Sequence, residues 1–246
     1  MLLEHPDFFN PSKRILEMTD GYTKPFYHLD FDYDKPDLSS FTDTAKSMIS
    51  SGNIFKYEDY SYLHNGNVVN NLEQCKSLYK KIDDKWTYNR IERLVSGHNI
   101  NFTLYTKHFG WFPEVREAHP DLVEMCEKFI DVYKIDTWKI LIGRMETDLL
   151  WHMDIDGYYG FRFPLGIHPW ELKFRKIHEE HAKKFLTMSW SGKFIEVNEL
   201  VNTETYSEEI VIDQDEGKSF IFNSIDYVHM LKNNHPQYFL FIKGII

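Results

Sequence analysis

The C-terminal half of this chain is a succession of short apolar runs, each cut off by turn-forming residues. They read as strands over residues 138–145, 149–154, 161–167, 185–190, 194–197, 210–213, 219–222 and 238–245. Short strands spaced this closely point to a β-sandwich or jelly roll. Residues 170–184 interrupt the series. Their charge density, from Glu171, Lys173, Arg175 and Lys176 onward, reads as a lid or solvated excursion, with residues 171–178 open to a helical or an extended conformation. Ahead of the strands, residues 120–133 are an amphipathic helix. Leu122, Met125, Cys126, Phe129, Ile130 and Tyr133 recur at helical spacing, and Pro120 suits a first turn. Such a helix is expected to brace one sheet. Further helices are expected over 39–49, capped by Ser39 or Ser40, and over 71–82. Strands are expected over 27–32 and 100–106. The expected organisation is one domain, 1–246, mainly β with flanking helices. Residues 1–135 form a helix-rich support and 136–246 a β core.

A chain of 246 residues is long enough to bury a sizeable core in one domain. Its aromatic content of 16% suits strands and a walled pocket, or simply an aromatic core. The net charge of −10 argues against a nucleic-acid surface, which needs clustered Lys and Arg. The densest basic patch, Lys173 to Lys176, is followed at once by Glu179 and Glu180. No apolar stretch is long enough for a membrane span, and the opening Met1-Leu2-Leu3-Glu4-His5-Pro6 is too short and polar for a signal peptide. A cytoplasmic protein is expected, with no membrane partner. Cys75 and Cys126 make no disulfide framework; both fall in expected helices and fill core space.

The chemistry centres on His152-Met153-Asp154. Alternate residues of a strand face one side, so the imidazole and the carboxylate point together. They make two thirds of the facial triad that holds non-heme Fe(II) with open positions. Asp is disfavoured in strands, so its place between Met153 and Ile155 needs a reason, and metal coordination supplies one. Asp156 competes as the carboxylate. The third ligand must be a histidine from another strand. His229 follows an apolar strand and a polar turn, Phe220 to Tyr227, and precedes the apolar run from Tyr238 to Ile246. Its rivals are His168, His178, His181 and His235, of which His178 and His181 sit among Glu and Lys. A second such triplet, His28-Leu29-Asp30, lies before most strand signals, and no arginine-bearing strand follows it.

These stretches resemble the Fe(II)/2-oxoglutarate oxygenases, in particular the aspartyl/asparaginyl β-hydroxylase-like branch. The likeness is carried by Trp151-His152-Met153-Asp154, by Phe161-Arg162-Phe163-Pro164-Leu165-Gly166-Ile167, by Glu216-Gly217-Lys218-Ser219-Phe220-Ile221-Phe222 leading to His229, and by Asn233. It covers the chain from Trp138 onward. The resemblance implies a double-stranded β-helix, the cupin-like jelly roll, with Fe(II) on His152, Asp154 and His229. It also implies O2 as oxidant and 2-oxoglutarate as co-substrate, converted to succinate and CO2. A carboxylate at Asp154 favours hydroxylation, since related halogenases carry a small residue there. The distal carboxylate of 2-oxoglutarate needs a buried cation. The family pattern assigns an arginine on the strand after the triplet, matched by Arg162, and another beyond the distal histidine, where Gln237 stands instead. Gln can hydrogen-bond a carboxylate but cannot neutralise it. Lys243 on the last strand is the expected replacement, with Arg144 a further candidate. The expected function is hydroxylation of a small polar molecule, an amino acid or a peptide side chain. The alternative is a non-catalytic or different-metal cupin-like binding protein.

Overall fold

The computed structural model describes residues 13–21, 23–51, 99–152, 159–166, 168, 170–176, 199–201, 209–214, 218–223 and 226–245. The expected helix at 71–82, the strands at 185–190 and 194–197, and Cys75, Asp154, Asp156, His178 and His181 lie outside them. Four helices and eleven strands are described: α1 (Lys13–Met18), β1 (Phe26–His28), α2 (Phe41–Ser50), β2 (Ile100–Thr106), β3 (Gly110–Trp111), α3 (Pro113–Ala118), α4 (Pro120–Tyr133), β4 (Asp136–Met145), β5 (Leu149–His152), β6 (Tyr159–Pro164), β7 (Trp170–Lys176), β8 (Glu209–Gln214), β9 (Phe220–Phe222), β10 (Tyr227–Lys232) and β11 (Gln237–Ile245). Among these residues no helix is long and apolar enough to cross a membrane.

The strands make two antiparallel sheets, ordered β1-β9-β6-β11-β4-β2-β3 and β5-β10-β7-β8. The pairing from β4 onward has a simple rule. β4 pairs with β11, β5 with β10, β6 with β9, and β7 with β8. The chain is therefore an antiparallel ribbon folded between β7 and β8 and rolled up. Successive rungs fall alternately in the larger and the smaller sheet. That is the jelly-roll arrangement, the double-stranded β-helix. The N-terminal region supplies more than helices: β1 extends the larger sheet beyond β9, while β2 and β3 extend it beyond β4.

Two elements correct the sequence reading. Residues 170–176 are a central strand of the smaller sheet, β7, not a lid. Trp170, Leu172 and Phe174 are buried, whereas the charged residues between them alternate to the other face. His229 follows the β9–β10 turn as expected, but it sits within a strand, β10, that the sequence reading did not include.

Strand alternation gives the larger sheet two unlike faces. Phe102 and Leu104 of β2, Ile140 and Ile142 of β4, Phe161 and Phe163 of β6, and Leu240 and Ile242 of β11 join one core with the helices. α4 covers this face. Leu122, Met125, Cys126 and Phe129 form its buried stripe, and the helix stops at Lys134, which adopts a left-handed conformation (φ 52°). The Phe129 ring meets Phe163 edge-on at 4.7 Å and Phe161 at 5.3 Å. Burial pushes the Cys126 thiol pKa up, which keeps it a neutral packing group. The opposite face looks across to the smaller sheet, where Met145, Phe220, Phe239, Trp170, Leu172 and Leu231 form a second, smaller core.

Candidate active site

The site begins with a register irregularity. His152 on β5 is directly opposite His229 on β10, and Leu149 is opposite Leu231. Three steps along β5 thus match two along β10. A regular strand would turn residues three apart to opposite faces. The β-bulge absorbs the extra residue, so Leu149 and His152 both line the space between the sheets. Bulges are a usual means of re-aiming a side chain. The two imidazoles lie 4.3 Å apart, centroid to centroid. His229 is 3% exposed, flanked by His152 on one neighbouring strand and Phe174 on the other. His152 Nδ1 is 2.6 Å from the Leu150 carbonyl oxygen. A carbonyl only accepts, so Nδ1 carries the proton and Nε2 offers its lone pair. That is the arrangement that fixes a metal-ligating histidine. The β9–β10 turn feeding His229 is held by Asn223, whose Nδ2 donates to Asp226 Oδ2 (2.8 Å) while its Oδ1 accepts from the Asp226 N–H (3.1 Å).

The histidine pair forms part of the wall of a cavity of about 560 Å³ between the sheets. Arg162, Phe241 and Lys243 line the facing sheet, with Phe220 and Phe239 alongside, and Trp170 lines the histidines' own sheet. Arg162 is 5% exposed. It lies between Phe220 and Phe241 on the strands either side, with its guanidinium carbon 4.6 Å from the Phe241 ring centroid. Lys243 is half-buried and shares the face of Phe239 and Phe241, because the β11 register stays regular until it shifts between Lys243 and Gly244. Of the sequence-predicted residues, His152, His229, Arg162 and Lys243 are therefore gathered at one cavity.

Gln237 and Arg144 are not. Gln237 does not line the cavity; it is buried and packed over Gly166, and its Nε2 donates to Asn233 Oδ1 (2.6 Å). Asn233 donates in turn to the Met145 carbonyl (2.7 Å) and takes the Asp148 side chain on its own N–H (2.8 Å). These two residues tie the β10–β11 turn to the end of β4. Arg144 has the strand parity of Ile140 and Ile142, on the helix side of β4, and is ion-paired with Glu146. His28 lies exposed on the edge strand β1. His168 and His235 stack on each other at 4.2 Å on the surface.

Among the described residues no group of three His, Cys, Asp or Glu side chains could hold a metal ion. Two imidazoles do converge, and Asp154 lies just beyond β5, outside the described residues. The donor chemistry fits a divalent transition metal: two imidazoles, one of them oriented by a backbone carbonyl on its Nδ1. Sequence reasoning missed the bulge, which exists only in the pairing of two strands. It also missed Phe241 as the partner of Arg162, although the alternation Phe239-Leu240-Phe241-Ile242-Lys243 carries that signal.

No family model matches the sequence, and no curated protein does. Solved structures with distant similarity include Streptomyces albus HEPD with its substrate 2-hydroxyethylphosphonate and Fe(II) bound. There the identity is 12% over 43% of this chain and 17% of that one, with a TM-score of 0.25. The Escherichia coli ribosomal oxygenase YcfD matches at 10% identity over 60% of this chain and 32% of that one, TM-score 0.35. The same protein in complex with cobalt and 2-oxoglutarate matches at 11% identity over 54% and 30%, TM-score 0.33. The chain spans less than a third of the length of each of those chains. The likeness is distant, and the site is read from its own geometry.

Proposed function

We propose that this chain is an Fe(II)/2-oxoglutarate-dependent hydroxylase of a small polar molecule, an amino acid or a peptide side chain. The observation that carries the reading is the His152–His229 pair, its rings 4.3 Å apart, on the wall of a cavity that also holds the buried Arg162. His152, His229 and Asp154 would hold the metal. Bound there, Fe(II) would supply open positions for O2 and the 2-oxo acid, and with them the oxidising power for hydroxylation.

The chain's own residues do the rest. The Leu150 carbonyl keeps the proton of His152 on Nδ1. Arg162 holds a carboxylate of 2-oxoglutarate by charge-assisted hydrogen bonds, strengthened by the apolar wall of Phe220 and Phe241. Lys243, on the same wall, is the second cation available to a dicarboxylate or to the substrate. Trp170, Phe220 and Phe239 exclude water from the reacting end. Residues 136–246 carry the histidines and cations of this site, and 1–135 support it, with Asn99, Ile100 and Asn101 on the cavity wall.

Anaerobic titration with Fe(II) and then 2-oxoglutarate tests the proposal. A weak visible charge-transfer band, followed by succinate formation on admitting O2, is the expected result. Metal uptake with neither band nor succinate would favour a cupin-like binding protein instead.

A further inference from the structure

Gly143 lies near the C-terminal end of β4, on the cavity side of the larger sheet. Its φ is not positive, unlike those of Gly21 and Gly110, so the backbone there would accept any residue. Glycine weakens a strand interior and its presence needs another reason, such as the close approach of a neighbouring group. The space above it supplies one. A Cβ on Gly143 would lie 2.5 Å from Asn101 Oδ1, 2.6 Å from Met145 Cε and 2.9 Å from Phe241 Cε2. These three side chains all line the cavity. They lie down on the bare Cα and form the floor beneath it.

The three neighbours differ in their freedom to move. Asn101 is exposed. Met145 is 3% exposed and enclosed. Phe241 is the stiff one, and its ring presents a face to the Arg162 guanidinium at 4.6 Å. Gly143, Phe241 and Arg162 are therefore stacked in series across β4, β11 and β6, which are neighbours in the sheet.

We infer that Gly143 and Phe241 are positioning residues for the carboxylate-binding cation: the missing side chain at 143 lets the Phe241 ring settle, and the ring sets where Arg162 points. This inference rests on the proposed 2-oxoglutarate reading. It predicts that a methyl group at 143 acts on anion binding without touching the metal.

The test loads the protein with Co(II) and measures 2-oxoglutarate affinity by calorimetry, with Co(II) affinity as the control. Gly143→Ala and Phe241→Leu are each expected to weaken 2-oxoglutarate roughly tenfold, the size of effect of losing one cation–π contact in a desolvated site. Phe241→Tyr, which keeps the ring face, should bind as the wild type does. Co(II) affinity should stay within about twofold in all three, because the histidines are on the other sheet. If Gly143→Ala does not fold, the contrast between Leu and Tyr at position 241 decides the matter alone. Wild-type 2-oxoglutarate affinity in Gly143→Ala and Phe241→Leu, or equal loss in Leu and Tyr at 241, would overturn the inference and leave the co-substrate reading standing. Wild-type protein that takes up Co(II) but no 2-oxoglutarate would remove both.

Discussion

The two faces of the larger sheet are made by the same strands and do opposite work. On β6, Phe161 and Phe163 sink into the helix-side core while Arg162 between them faces the cavity. On β11, Leu240 and Ile242 face the helices while Phe241 and Lys243 face the cavity. One face is filled with apolar side chains at no exposure. The other spends strand positions on cations and keeps a space open. Period-two alternation lets a strand serve both, and it separates stability from chemistry residue by residue. Substitutions on the helix side should unfold the protein, and those on the cavity side should disable it while it stays folded.

The largest expected effect is on the helix side. Phe129→Ala should cost about 3–5 kcal/mol of stability, because the ring is fully buried between α4 and β6. Denaturant unfolding measures it, and the folded fraction should keep its metal affinity. A loss below about 1 kcal/mol would mean that this face is not the main core.

Arg162→Met comes next and works on the other face. It should weaken 2-oxoglutarate by about 2–5 kcal/mol while changing stability far less than Phe129→Ala does. Calorimetry and thermal melts on one preparation decide this. Unfolding in place of lost affinity would break the division between the faces.

Gln237→Ala sharpens the comparison at the boundary. It removes the donor to Asn233 Oδ1 and should cost about 1–3 kcal/mol of stability, with 2-oxoglutarate affinity unchanged. Weaker co-substrate binding would return Gln237 to the site. The smallest effect is expected far from both faces. Asp136→Asn breaks the exposed ion pair with Lys107 and should change stability by less than about 1 kcal/mol.

The helix-side face was readable because its signals are local. α4 has the bounds its apolar spacing predicts, and β2 matches its alternating run. The cavity side was harder. β7 hid because Glu171, Lys173 and Arg175 alternate with its buried residues and give it the charge density of a solvated helix. β10 hid because a polar turn precedes it and a histidine sits at its centre. Arg144 looked like a candidate cation until strand parity set it on the helix side. Nothing in the order Leu149-Leu150-Trp151-His152 marks the bulge, since only the pairing with β10 makes three residues span two. Both histidines were nonetheless named from the sequence, His152 from the spacing of His152-Met153-Asp154 and His229 from the apolar strand and polar turn ahead of it.

The central claim is that His152 and His229 share one metal ion. Equilibrium Co(II) binding to the wild type, His152→Ala, His229→Ala and the double variant tests it most directly. Altering an outer-shell partner of a metal ligand costs 10–100-fold in affinity, so losing a ligand should cost at least about 100-fold in each single variant. The double variant should be little worse than either, because the two side chains act on the same ion. Wild-type affinity in either single variant would show that the two imidazoles do not serve one metal.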